Sequence, residues 1–275
     1  MSGPADQPHG AGGLRVSAQE VYGDRVESVS RVAVVTGGAS GIGEATCHEL
    51  GRRGLKVAVL DVNEQAAQRV TDELQASGVT CIGVGADVTD RVAVDQAFAK
   101  VRGELGSVSV LVTSAGLFGF SAFMEITAQA WARIIDVNLT GTFHCCQAAL
   151  PDMLAAKWGR IVTISSSSAQ RGSPFAAHYA ASKGAVITLT KSLAREYAAH
   201  GITVNTIPPS GIETPMQHQS QAAGYLPSND QIASNIPVGY LGTGADIAAA
   251  VGFLSSDEAR FITGQVVGVN GGSVL

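Results

Sequence analysis

Residues 31–61 read RVAVVTGGASGIGEATCHELGRRGLKVAVLD: a β-branched run, a glycine-rich turn, a helix-patterned segment, and a second β-branched run ending in an acid. The first run passes directly into Thr36-Gly37-Gly38-Ala39-Ser40-Gly41-Ile42-Gly43. Glycines there let the backbone turn sharply and approach a phosphate closely. The helix that follows, from Glu44 to Arg53, aims its free N–H groups and positive end at the same point. Asp61 stands 18 residues past Gly43, near the ~20 at which an acid reaches an adenosine ribose. Strand, turn, helix, strand and acid in this order predict a dinucleotide site.

The same rhythm continues outward. VTCIGVGADV (79–88), VSVLVT (108–113), RIVTIS (160–165), ITVNTI (202–207) and QVVGVN (265–270) bring the candidate strands to seven. They are continuous Val/Ile runs rather than polar/apolar alternations, the pattern of strands covered by helices on both faces. The expectation is a single α/β domain, a doubly wound parallel sheet of seven strands, beginning near Arg31. Residues 1–30 mix Gly, Pro, Ser and charge without a period and read as a flexible leader. The stretch 208–240 is long for a connection and follows a strand, where such sheets bind ligands, so it reads as an irregular substrate loop.

Composition excludes several classes. Of 275 residues, 45% are hydrophobic and only 15% charged, which argues against disorder. With 18 Lys+Arg against 23 Asp+Glu, the formal charge of -5 gives no footprint for nucleic acid or an anionic membrane. Cys47, Cys81, Cys145 and Cys146 form no CxxC pair and no disulfide framework, and no stretch has the length of a membrane span or the apolar core of a secretory signal. The expectation is a cytoplasmic protein. His9, His48, His144, His178, His200 and His218 show no ligand spacing, so no metal is expected.

Thr36 to Gly43 resembles the TGxxxGxG turn of the classical short-chain dehydrogenase/reductase family, and the likeness covers almost everything after Arg31. It implies a Rossmann-like fold and a nicotinamide cofactor. By that resemblance Gly37, Ser40, Gly41, Ile42 and Gly43 cradle the pyrophosphate, Asp61 holds the ribose, and Asp87-Val88 meet the adenine. Thr113-Ser114-Ala115-Gly116 takes the place of the family's NNAG, with both Asn positions replaced. Pro209, Ile212 and Thr214, in NTIPPSGIET (205–214), fall where the family holds the carboxamide. Ser210 stands there in place of a usual Gly, and a positive φ at that position would strain a serine by ~1 kcal/mol. Asn138, Ser166, Tyr179 and Lys183 are similar to the family's catalytic tetrad, with Asn138 supporting a water chain to Lys183. The ending VNGGSVL resembles that of relatives that form homotetramers.

The chemistry of the pair also follows without the family. A spacing of four on a helix from Ala176 to His200 puts Tyr179 and Lys183 on one face, where the ammonium favours a phenolate. A neighbouring cation would bring tyrosine down from ~10 toward the range in which a general acid/base works. Ser166, at a strand's carboxyl end, would donate to the substrate oxygen. Phe118, Phe120, Gln170, His178 and Met216 are pocket candidates by position, and Cys145-Cys146 reads as core.

Asp61 would repel a 2′-phosphate, and neither Ser40 nor Val62 offers a cation, so the expected cofactor is NAD. The expected reaction is hydride transfer between nicotinamide and a small-molecule secondary alcohol or ketone. One alternative is a 3-oxoacyl carrier-protein reductase, because IPVGYLGTGADIA (236–248) resembles that subfamily. Such reductases usually take NADPH and carry Arg in the turn and where Tyr240 sits. A non-catalytic nucleotide-sensing regulator is the alternative from another class.

Overall fold

Six strands lie side by side in the computed structural model, which describes residues 30–275: β1 (Val32–Thr36), β2 (Lys56–Asp61), β3 (Cys81–Gly85), β4 (Val108–Thr113), β5 (Gly159–Ile164) and β6 (Ile202–Ile207). All pair in parallel in the order β3-β2-β1-β4-β5-β6. The chain builds outward from β1 to β3, then crosses back to lay β4 on the other side of β1. That reversal opens a crevice at the carboxyl ends of β1 and β4. Arg31–Leu275 forms one compact unit, and the leader read at 1–30 lies outside the described residues apart from Ser30.

Successive residues of each strand face opposite sides of the sheet, and both sides are buried. Val34, Leu60, Leu111, Ile161 and Val204 pack on one face against α3 (Arg91–Glu104), α5 (Gly141–Ala156) and α7 (Ala177–Tyr197). Val35, Val59, Val112 and Val162 pack on the other against α1 (Gly41–Arg52), α2 (Glu64–Ala76) and α10 (Gly244–Leu254). This double burial is why the strands read as unbroken apolar runs. All four cysteines are free and buried.

The seventh expected strand does not form. QVVGVN contributes only an isolated parallel bridge between Val266 and Thr206. The backbone pairing is confined to that bridge, where Thr206 N donates to Gln265 O and Val267 N to Thr206 O; just before it the Asn205 side chain takes over, its oxygen accepting from Gln265 N and its amide donating to Ile262 O. Gly271 and Gly272, both at positive φ, then turn the chain away.

The expected loop 208–240 is also more ordered than its composition indicates. It holds β7 (Ile212–Glu213), α8 (Pro215–Ala222) and α9 (Asn229–Ala233), and β7 pairs with β8 (Gly242–Thr243). Caps account for the helices. Thr214 Oγ1 accepts from Gln217 N with Pro215 opening α8, and Ser228 and Gln231 form a reciprocal capping box on α9. α7 ends at Tyr197 rather than His200, passing into a 3₁₀ turn that Gly201 closes at φ +76.

At the amino ends of the strands a second cluster closes the sheet. The Trp158 indole is flanked by the guanidinium of Arg31 at 3.7 Å and that of Arg160 at 4.2 Å. Asp257 accepts from the Trp158 indole N–H at 2.9 Å and pairs with Arg31 at 2.9 Å. Burial draws the Arg160 guanidinium down to about 10.

Candidate active site

A cleft of about 430 Å³ lies at the carboxyl ends of β1, β2, β4 and β5. At its floor the glycine turn packs so tightly that side chains have no room. A β-carbon on Gly37, whose φ is +64, would sit 2.7 Å from Ala115 N; one on Gly43 would sit 2.0 Å from the Gly37 carbonyl oxygen. Ser114 N donates to Thr36 O and Ala115 N to Thr36 Oγ1, both at 3.2 Å, so the segment after β4 is tied to the turn. Ser40 occupies the N-cap of α1 in extended backbone, yet its hydroxyl caps no first-turn N–H. Ser40, Gly41 and Ile42 line the cleft, so an anion there meets uncapped N–H groups at the positive end of a helix.

Asp61 closes the adjoining corner. Its oxygens accept from Ala39 N at 3.2 Å and Asn63 N at 3.0 Å. The nearby cation, Arg69, donates to Ala39 O but is paired with Glu44 and Glu73. Val62 is 73% exposed beside it. Asp87 and Val88 line the next stretch; Asp87 Oδ1 accepts from Thr89, and Val88 O meets His144 Nδ1 at 3.0 Å.

Asn138 lies in a π-helical turn, Asp136–Thr140, between α4 (Ala128–Ile135) and α5. It is fully buried behind the cleft wall. Its carboxamide accepts from Leu117 N at 2.8 Å and donates to Leu117 O at 3.0 Å and Ser182 Oγ at 2.9 Å. The backbone after β4 is therefore clamped by one side chain. Gly116 makes room for the group beneath: a β-carbon there would lie 3.3 Å from Asn138 Oδ1 and 3.4 Å from Lys183 Nζ.

Ser166, Tyr179 and Lys183 meet at the far end of the cleft. The Ser166 hydroxyl accepts from Ser168 N at 3.2 Å and lies near enough to the Tyr179 phenol to favour its ionised form, and Lys183 Nζ donates to Ile164 O at 2.9 Å. The expected effect of lysine on tyrosine is corrected here. Burial raises the Tyr179 phenol above its ordinary value, the Ser166 hydroxyl opposes that only in part, and Lys183 commits a donor to a backbone carbonyl. Burial also lowers the Lys183 ammonium to about 8.

Pro209, Ile212 and Thr214 line the cleft roof, with Ser167 N donating to Pro209 O at 2.9 Å. The Thr214 hydroxyl accepts the α8 cap bond at 3.3 Å. Ser210 is not strained: the left-handed φ of +59 falls on Gly211. Phe118 and Met216 face the cleft, whereas Phe120, Gln170 and His178 do not line it, nor do the buried Gly43 and Asn138. Among the lining residues that sequence reasoning missed are Arg133, Val137, Gln217, Ser220 and Leu226. Capping positions were the available signal for the α8 pair; a lone arginine on a surface helix carries none.

A cradle without room for β-carbons, uncapped helix N–H groups and an acid at the next strand end fit a dinucleotide.

Comparison with known proteins gives concordant results. Residues 31–224 match the family model described as short chain dehydrogenase. The 3-oxoacyl-[acyl-carrier-protein] reductase FabG of Escherichia coli K12 is 40% identical over 248 residues, covering 89% of this chain and 98% of that protein. FabG of Staphylococcus aureus Mu50 is 38% identical, covering 90% and 99%. Among solved structures, a single-substitution variant of actinorhodin polyketide ketoreductase with NADPH superposes with a TM-score of 0.86 at 35% identity, covering 89% and 97% of the two chains. Gox2181 gives 0.84 at 35% identity, covering 89% and 95%.

Proposed function

The chain belongs to the short-chain dehydrogenase family and is an oxidoreductase acting on a CH–OH or ketone group, and from that premise we propose that it is NAD(H)-dependent, with Tyr179 as general acid/base. The observation that carries the cofactor choice is Asp61. A carboxylate held by two backbone N–H groups at the ribose corner, with Arg69 already paired, disfavours a 2′-phosphate by like-charge repulsion.

A nicotinamide dinucleotide, when bound, supplies the hydride acceptor or donor. Gly37, Ser40, Gly41 and Ile42 hold its pyrophosphate, and Asp87, Val88 and Ala115 wall its adenosine. Pro209, Ile212 and Thr214 hold the other end. In oxidation the substrate loses a hydride from its carbinol carbon and its hydroxyl proton to the Tyr179 phenolate, leaving a ketone. In reduction the Tyr179 phenol returns the proton. Ser166 donates to the substrate oxygen, and Lys183, anchored on Ile164 O, holds the ribose at the nicotinamide end. Asn138 acts by fixing the wall at Leu117 and the helix at Ser182.

A 3-oxoacyl carrier-protein reductase remains the second reading, favoured by the FabG relatives. Ser40, Asp61 and Tyr240 weigh against it. A cytoplasmic location accords with four unpaired buried thiols. Among the described residues no helix is long and apolar enough to cross a membrane. A homotetramer is part of the same proposal, supported by exposed Phe253, Phe261 and Tyr240 near the carboxyl end.

The test is oxidation of secondary alcohols, sugars, steroids and 3-hydroxyacyl thioesters with NAD and with NADP, run beside Tyr179→Phe. NAD-linked turnover that disappears in the variant is expected. Turnover with NADP alone, or activity that survives the substitution, would overturn the proposal.

A further inference from the structure

The wall beside Tyr179 is aromatic, and its rings are locked in place. Phe118 meets Tyr179 edge to face, with centroids 5.1 Å apart and planes at 72°. It also lines the cleft, so a substrate whose oxygen reaches the tyrosine hydroxyl lays its neighbouring carbon group along this ring. The residues on either side leave Phe118 little freedom. Asn138 binds both backbone groups of Leu117, and Gly119 packs so closely on His178 that a β-carbon would come within 2.2 Å of the imidazole Nε2.

Three further rings, outside the cleft lining, pack together around Phe120, two residues along the chain. Phe120 stacks on Tyr225, centroids 4.7 Å apart at 15°, and tilts against Phe175 at 5.2 Å. Phe175 holds a φ of +58, unusual for a bulky side chain, and its carbonyl accepts from Ser121 N at 2.7 Å. Phe175 and Tyr225 are nevertheless 55% and 45% exposed, so much of this aromatic surface is open to solvent. Leu117, Met216 and Leu226 extend the apolar lining.

Charge lies elsewhere in the cleft. Asp61 ends β2 and Asp87 follows β3, Lys183 is held on Ile164 O, and Arg133 stands one helical turn before Val137. The side chains that meet Phe118 and Phe120, namely Tyr179, Phe175 and Tyr225, are rings without a formal charge.

We propose that this wall selects an uncharged alcohol or ketone bearing an aryl group on the reacting carbon, with Phe118 as the specificity-determining residue. The inference rests on the oxidoreductase reading and names the substrate class of that site. An aromatic pair adds a discrimination of several-fold over an aliphatic ring of equal size.

The experiment compares kcat/KM for 1-phenylethanol and 1-cyclohexylethanol, with NAD and with NADP, in the wild type, Phe118→Leu and Phe118→Tyr. The wild type is expected to favour the aryl alcohol by about fivefold. Phe118→Leu should bring the ratio near one, and Phe118→Tyr, which keeps the ring, should preserve it. Equal rates in the wild type, or a ratio indifferent to Phe118→Leu, would overturn this assignment while leaving alcohol oxidation intact. Absence of turnover on either alcohol, with 3-hydroxyacyl thioesters accepted, would overturn it in favour of the acyl reading. Absence of turnover on all of them would remove the oxidoreductase reading as well.

Discussion

The α-carbon of Gly43 lies directly against the carbonyl of Gly37, so close that a β-carbon would fall 2.0 Å from the oxygen. The opposing atom is backbone in the floor of the cleft and has nowhere to go. Gly43→Ala is expected to lose about 2 kcal/mol or more and most dinucleotide affinity. Gly103→Ala, in α3 with open space around it, should gain about 0.5–1 kcal/mol. Urea unfolding and a binding titration on both variants check the contrast.

Asp61 is expected to set cofactor preference. Asp61→Ala combined with Val62→Arg removes the repelling carboxylate and places a guanidinium at an exposed neighbouring position. The ratio of kcat/KM for NADP over NAD should rise by at least about tenfold. An unchanged ratio in steady-state kinetics would count against Asp61 as the selector.

Lys183 makes stability depend on pH in a particular direction. Its folded value, about 8, is below the ordinary lysine value of 10.5, so the unfolded chain binds more protons between those limits. Stability therefore rises with pH across that window, as the cost of burying the ammonium is relieved. The wild type should gain about 2 kcal/mol relative to Lys183→Met between about pH 7 and about pH 9.5. Paired urea titrations at the two pH values measure this, and a constant difference would contradict it.

Thr113, in the first position where the family carries Asn, buries a hydroxyl that has no hydrogen-bond partner among the described residues. Thr113→Val keeps the shape, removes the unpaired group and suits a strand. It is expected to stabilise by about 1 kcal/mol in urea unfolding. A loss of similar size would mean that the hydroxyl has an acceptor.

The doubly wound parallel class and the floor of the cleft were legible from double-sided burial and backbone crowding. Gly37 and Gly43 admit no alternative residue, and a sheet buried on both faces leaves runs such as VAVVT with no polar break. The helices of 215–233 escaped notice because Thr214, Ser228 and Gln231 nucleate them through polar caps rather than an apolar period. QVVGVN has strand propensity, but its backbone pairing with β6 stops at one bridge, and Asn205 holds the approach to it through its side chain. At the site, a spacing of four brought Tyr179 and Lys183 together in the cleft. It gave no hint that Ile164, on a different element, holds the ammonium, or that burial dominates both titrations. The strain read at Ser210 dissolves because its neighbour Gly211 carries the left-handed φ.

The Arg31–Trp158–Arg160 sandwich and its Asp257 anchor sit at the end of the sheet opposite the cleft. The two ends can accordingly be edited separately. Loops at 117–120 and 215–233 can be exchanged to retune the reaction without touching the clasp that closes the base. Changes at the base can adjust heat tolerance without altering which molecule is turned over. For a catalyst to be adapted by stepwise substitution, that separation decides which positions are free to vary.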